Sequence, residues 1–317
     1  MPYKHSQCRS HKFTKPKYKV TNWPEYNDAL RRRGDFTIWF TEDAITNWRP
    51  VKTGLRGRPQ EYSDHAIETA ILIRQVFHLA LRQTEGFMNS VARVMGTDIC
   101  IPDFSSISRR SIELPRHVLS KAMQPGALVI VDSTGLKVYG KNEWHQEKHA
   151  VPARRTWRKL HMAVDENHQV LACELTTPEV GDPTAVTDLL DQIESPFEAF
   201  IGDGAYDTDA VSQAVLAKQC SAKIIVPPHK TAVLSSADDT QRDGHIREIK
   251  AHGRIAWQRK NGYGLRAHAE LAMQRYKRII GSAMKARKLS QQKTEAWISA
   301  SALNTMSNLG MPVSVKI

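Results

Sequence analysis

Apolar and polar positions divide the chain into stretches of different texture. In SDHAIETAILIRQVFHLALRQ (63–83), Ile67, Ala70, Ile71, Val76, Leu79 and Ala80 recur near helical spacing, and Ser63 is placed to cap the first turn. TEGFMNSVARVMGTD follows as a second helix, with Thr84 as its expected cap and Gly96 as its stop. PDFSSISRRSIEL sets Pro102 and Asp103 before a short third helix starting near Ser105. Upstream, NDALRRRGDFTIWFTEDAITNW reads as a helix, a short strand and another helix. LRGRPQEYSD, with Gly54, Gly57 and Pro59, is the first strong break.

From residue 126 the texture changes. ALVIVDSTGLKVYG is an apolar run rich in β-branched residues, and WRKLHMAVDENHQVLACELTT reads as two strands joined by a turn at Asp165, Glu166 and Asn167. TAVTDLLDQIE is a helix, AFIGDGAYD a strand, TDAVSQAVLAKQ a helix, and AKIIVPPHK a strand closed by two prolines. A polar stretch over 231–260 leads to the helix of YGLRAHAELAMQRYK. In TEAWISASALNTMSNLG, Trp297 and Asn304 are expected to pack the last helix on a sheet. Three successive strands, then strands alternating with helices, predict an α/β mixed sheet flanked by helices on both faces, preceded by an all-helical region. The expected division is 1–120, with an irregular basic arm over 1–58 and helices over 60–120, then 126–317.

Composition narrows the function class. The 317 residues are 41% hydrophobic and 25% charged, an ordinary soluble composition. No run of about 18 apolar residues predicts a membrane span, and the basic N-terminus lacks a secretory apolar core. Cys8, Cys100, Cys173 and Cys220 lie far apart without a CxxC pair, which weighs against zinc and disulfide frameworks and fits a reducing cytoplasm. The 45 Lys+Arg against 33 Asp+Glu give +12 and point to a nucleic-acid partner, because each neutralised phosphate releases counterions. The second and third helices have the spacing of a helix-turn-helix, so Ser106, Ser108, Arg109 and Arg110 are candidates for phosphates or base edges of duplex DNA; a three-helix bundle with a charged outer face is the alternative. Arg56 and Arg58 belong either to a simple loop or to a basic arm along the DNA backbone.

Three acids supply candidate chemistry. Asp132 ends the run Ala127–Val131, and Asp203 ends Ala199–Gly202 just before Gly204. Strand ends beside small residues are where such sheets build sites. Glu270 sits in a basic helix, where a surface ion pair is the ordinary reading. At 100° per residue, however, Tyr263, Arg266, Glu270 and Lys277 fall within an arc of about 60°. One stripe then holds a carboxylate for metal, two cations for phosphates and an aromatic ring for a phosphate or a displaced base. Three separated carboxylates suit two hard divalent ions, Mg²⁺ or Mn²⁺, about 4 Å apart beside a scissile phosphate. His161 is expected to be a packed sheet histidine and Asp207 a turn cap.

Tyr263-x2-Arg266-x3-Glu270-x6-Lys277 resembles the Y-x2-R-x3-E-x6-K signature of DDE transposases of bacterial insertion sequences. VDSTGLKVYG and IGDGAYD look like the segments that carry the two Asp residues in those enzymes. YNDALRRRGDFTIWF, GRPQEYSDHAIETA, LRQTEGFMNSV and PDFSSISRR are similar to the N-terminal half of the insertion sequence five family, in its IS-nine-oh-three-like branch. The resemblance spans about 24–310. It implies a ribonuclease H-like catalytic core with Asp132, Asp203 and Glu270 as the metal-binding triad, and Tyr263, Arg266 and Lys277 on the DNA. It implies cleavage at terminal inverted repeats to free 3′-hydroxyls, strand transfer by direct transesterification, and a homodimer or larger synaptic assembly in a bacterial cytoplasm. Between Asp203 and Glu270 the chain has 270 − 203 = 67 residues, room for only a small insertion at about 231–260. A vestigial DNA-binding repressor and a structure-specific nuclease on the same fold are the competing readings.

Overall fold

The computed structural model describes residues 17–51, 59–117, 119, 126–138, 157–235 and 240–317. Arg56, Arg58 and the first 16 residues of the basic arm lie outside them. A short strand β1 (Tyr18–Val20) precedes α1 (Trp23–Arg32), α2 (Phe36–Trp39) and α3 (Glu42–Thr46). The stretch FTIWF, expected as a strand, is helical because the Asp35 carboxylate accepts the Thr37 N–H at 3.0 Å and starts a turn that buries Trp39. Ser63 caps α4 (Asp64–Val76) as expected, accepting from the Ala66 N–H at 3.1 Å. α5 (Leu81–Val94) begins three residues before the expected cap. Thr84 is buried inside it and donates back to the Ala80 carbonyl at 3.0 Å, while Gln83 accepts the Ala80 N–H at 3.1 Å. Gly96, at φ +66°, ends that helix, and Asp103 caps α6 (Phe104–Arg110) through the N–H groups of Ser105 and Ser106.

The sheet follows in the expected order: β2 (Leu128–Val138), β3 (Trp157–Val164), β4 (Val170–Thr176), α7 (Val186–Asp191), β5 (Ala199–Ile201), α8 (Asp209–Lys218) and β6 (Lys223–Ile225). The polar stretch then holds α9 (Gln241–His252) and α10 (Arg254–Lys260), the first opened by a reciprocal cap between Thr240 and Asp243. α11 (Ala267–Ile279), β7 (Ala283–Met284), α12 (Leu289–Leu309) and β8 (Ser314–Lys316) complete the chain. The pairing of β1 with β8, which ties the two ends together, has no strong signal in two three-residue strands.

The sheet order is β4-β3-β2-β5-β6, antiparallel across β2, β3 and β4 and parallel across β2, β5 and β6. This is the ribonuclease H-like mixed sheet. Alternation along β2 splits the core in two. Val129 and Val131 pack with α7 and α8 on one face; Ile130 and Leu136 pack with α11 and α12 on the other. The second core continues through α12 into Ile67, Ile73, Met88 and Ile107 of the N-terminal helices. His161 is fully buried on β3, bonded to Thr176 Oγ1 at 2.8 Å, and burial holds its pKa below the ordinary value.

The β3–β4 turn puts His168 at φ +64°, with its ring stacked 4.4 Å from that of His268. Burial first, then the charges of His268 and Arg275, lower the His168 pKa to about 4. The unfolded chain therefore takes up a proton there before the folded one, and stability falls as pH drops from the ordinary histidine range toward 4. Asn tolerates the left-handed conformation. His168→Asn should narrow the gap in urea-unfolding free energy between about pH 7 and pH 5, where the titration lies. An unchanged gap would contradict this assignment.

Candidate active site

The strand register brings the first two acids together before any side chain is considered. Ile130 pairs with Ile201 across parallel β2 and β5, so Asp132 and Asp203 stand two residues beyond that pair on adjacent chains. Neighbouring strands run about 4.8 Å apart, and a step of two keeps both side chains on the face of Ile130 and Ile201. That is the face α11 covers. β5 ends at Ile201, and β7 joins β2 only at Lys137, so the intervening edge of β2 has no partner strand among the described residues. A 3₁₀ turn over Tyr263–Arg266 packs into this notch against β2 and β5. The four-residue stripe expected on one α-helix is thus split. Gly262, in the left-handed conformation, opens the tighter turn with Tyr263 and Arg266, and α11 carries Glu270 and Lys277.

The Arg266 guanidinium lies between two carboxylates. It is 3.6 Å from Asp132 Oδ2 and forms an ion pair with Glu270 Oε1. Asp132 is largely buried, and burial is the main cause of its raised pKa; the charges of Asp203 and Glu270 add to it, while the Ser133 N–H and Arg266 oppose it. Both other acids therefore act on Asp132. Asp203 also accepts the Ala205 N–H at 2.8 Å, which fixes its loop. Tyr263 is half-buried, and burial together with Asp203 and Glu270 raises its pKa. Lys277 is half-buried in the last turn of α11, roughly 10 Å along the axis from Glu270.

No three Asp, Glu, His or Cys side chains among the described residues form a ready metal cage. Glu270 is more than half exposed and turned onto Arg266, which offsets charge where three acids meet. The donor set itself, carboxylate oxygens only, fits a hard divalent cation.

Several residues outside the expected set of acids and cations also shape this site. Tyr206 is buried edge-on against Phe200, with its hydroxyl lacking a hydrogen-bond partner among the described residues and lying near Asp132, Asp203 and Asp182. Trp257, fully buried on α10, packs its ring 5.5 Å from that of Tyr263 and donates to His245 Nδ1 at 2.9 Å. Asp207, expected to cap a turn, instead takes a two-pronged ion pair from Arg242 at 2.7 and 3.1 Å and accepts the His229 N–H, pinning α9 to the Asp203 loop. The aromatic spacing after Gly-Asp-Gly-Ala was the available signal for Tyr206. A Cβ on Gly202 would stand 2.9 Å from Tyr206 Cδ2, closer than atoms approach. Gly202→Ala should displace this ring and the Asp203 loop, costing about 1–3 kcal/mol of stability and at least tenfold in any reaction at Asp203. Thermal melts and turnover check both; parent-like values would show that the contact relaxes freely.

On the N-terminal side, Arg110 is committed within the protein, bonded to Asp64 and to the Tyr62 carbonyl at 2.8 Å. Ser106 donates to Asp103 at 2.8 Å, and Ser108 accepts from Gln291. Arg109 is exposed. The structure does not bring these residues to the carboxylates.

A family model described as a transposase DDE domain matches residues 124–305, more than half of the chain. A second model of the same description matches residues 31–141. Similar solved structures include a piggyBac transposase synaptic complex with hairpin DNA, 11% identical at TM-score 0.41, covering 91% of this chain and 76% of that one. A Drosophila P element transposase strand transfer complex is 10% identical at TM-score 0.27, covering 86% of this chain and 85% of that one.

Proposed function

The chain belongs to the DDE transposase domain family, and on that premise we propose that it mobilises a bacterial insertion sequence of the insertion sequence five family. In this reading it binds the terminal inverted repeats, cleaves to free 3′-hydroxyls and joins these to target DNA, working as a dimer or larger assembly that holds two ends. One observation carries the proposal: at the open edge of β2 the Arg266 guanidinium bridges Asp132 and Glu270, and the charge of Asp203 on the neighbouring strand reaches Asp132.

Asp132, Asp203 and Glu270 would hold two divalent ions, Mg²⁺ or Mn²⁺. Bound there, such ions lower the pKa of the attacking hydroxyl and offset charge on the leaving oxygen. The chain's own groups do the rest. Asp132 and Asp203 are fixed by strand register and by the Ala205 N–H, so they form the rigid half of the site. Glu270, exposed on α11, is the mobile half. Arg266, released when Glu270 turns to the other acids, is placed to take a phosphate oxygen in a forked pair. Tyr263, steadied by Trp257, offers its hydroxyl or ring edge to the same strand, and Lys277 offers a point charge further along α11. On α6, Arg109 is the exposed candidate for a DNA phosphate, donating to Ser106 Oγ at 3.3 Å. Arg110 holds α6 to α4.

The test is purified protein with Mg²⁺ and duplex DNA carrying the element's ends, followed for 3′-end cleavage and strand transfer. Cleavage at the ends, lost in Glu270→Gln, is the expected result. Binding without cutting under any divalent ion would favour the vestigial repressor, and cutting that ignores end sequence would favour a structure-specific nuclease.

A further inference from the structure

A cleft of about 550 Å³ opens away from the carboxylates, between α4 and α6 on one side and the segment joining β7 to α12 on the other. Its lining carries Arg74, Arg109, Lys285 and Arg287 against one acid, Glu295, so 4 − 1 leaves a formal charge of +3 among the described residues. Glu295 is already engaged. It is 3% exposed, and its two oxygens accept the Lys285 and Ala286 N–H groups at 2.8 and 2.7 Å, which fixes the segment presenting Lys285 and Arg287. Lys285 donates to the Arg74 carbonyl at 3.1 Å, and Arg74 Nε is buried with no hydrogen-bond partner among the described residues. Burial, then the neighbouring Arg74, pull the Lys285 pKa down to about 8. Cations held this close, with one carboxylate between them, are poised for an anion.

We propose that this cleft grips the phosphodiester backbone of the duplex whose end lies at the carboxylates, about six base pairs from the reacting phosphate. The spacing comes from the sheet. β7 pairs with β2 in parallel at Lys137 and Ala283, five residues beyond Asp132, and Lys285 continues in the same direction. At about 3.3 Å per residue this places the cleft roughly 20 Å from Asp132, and B-DNA rises 3.4 Å per base pair. Duplex DNA is the occupant because the exposed Arg109 of α6 lines the same wall, and fixed cations facing an open cleft match a phosphate backbone. The inference rests on the transposase reading and adds a contact to it that no catalytic residue makes.

The experiment is filter binding of a duplex of about 40 base pairs bearing one element end, between about 50 and 200 mM salt. Lys285→Ala combined with Arg287→Ala should weaken binding about tenfold at the upper salt and make the slope of log affinity against log salt shallower by about one to two. Cleavage at saturating DNA should stay at the parent rate. Arg287 is exposed, so Arg287→Glu provides a variant that folds like the parent, and it should weaken binding at least as much as Arg287→Ala. Parent-like affinity and slope in both variants, with the parent binding and cutting, would overturn the cleft and leave the transposase reading standing. A parent that neither binds nor cuts DNA would overturn both.

Discussion

Asp132→Asn should bind element-end DNA like the parent and cut it more slowly by a factor on the order of 10³, about 4 kcal/mol of lost transition-state stabilisation. The two side chains have the same shape, so the strand and its register should survive. What is lost is an anionic oxygen in the rigid half of the site. The same substitution carries a stability signature opposite to that of most buried changes. Burial, then the charges of Asp203 and Glu270, raise the Asp132 pKa. A raised carboxyl contributes stability that is complete below its unfolded pKa and is lost as pH rises through its folded pKa. At neutral pH without divalent ions, ionised Asp132 therefore works against folding, and Asp132→Asn should melt no lower than the parent. Divalent ions reverse the order. At a hundred times its dissociation constant a ligand stabilises the folded state by about 2.7 kcal/mol, so Mg²⁺ should raise the parent's melting temperature and leave the variant's almost unmoved. Scanning fluorimetry with and without chelator reads both effects; equal Mg²⁺ shifts would place the ions elsewhere.

Asn304→Ala should be the most damaging change of those considered outside the site. From within α12, the Asn304 amide accepts the Val170 N–H at 2.6 Å and donates to the Val170 carbonyl at 2.8 Å and the Leu119 carbonyl at 3.1 Å. Val170 begins β4, the sheet edge on which α12 lies. Truncation leaves a buried donor and acceptor unpaired, each costing about 1–3 kcal/mol. A total near 3 kcal/mol corresponds to a fall of roughly 4–5 °C for a chain of 317 residues. Asn304→Asp keeps the acceptor for Val170 N–H but loses the donor, and should fall between the parent and Asn304→Ala near pH 5. A parent-like melt for Asn304→Ala would mean that α12 docks through its apolar face alone.

The legible parts of this fold were those governed by neighbours in sequence. The apolar runs of β2, β3 and β4, the Ser63 and Asp103 caps and the place of Asp203 just past β5 all follow from local pattern, whereas Asp132, expected at a strand end, lies inside β2 because pairing with β3 continues to Lys137 after the apolar run stops. Local pattern misled where a cap outweighed composition, as with Asp35, which turned a β-branched and aromatic stretch into helix. It also misled at the stripe of Tyr263, Arg266, Glu270 and Lys277. Tyr263, Arg266 and Glu270 do share one region, but Gly262 starts a 3₁₀ turn there and Lys277 stands about 10 Å further along α11, so the geometry is not that of one continuous helix. Charge at the site was only half readable. Three acids announced themselves, whereas the commitment of Arg266 to Asp132 and Glu270 depends on three-dimensional proximity. The Trp257–His245 bond beneath Tyr263 and the Asp207–Arg242 clamp join residues 12 and 35 positions apart, beyond the reach of any helical or strand period.

The most direct test of the account is anomalous diffraction from the parent bound to element-end DNA with Mn²⁺. The account predicts two peaks about 4 Å apart, each roughly 2.2 Å from carboxylate oxygens of Asp132, Asp203 or Glu270, with Glu270 turned off Arg266. Peaks held by other residues, or Glu270 still paired with Arg266 while DNA and Mn²⁺ are bound, would contradict it.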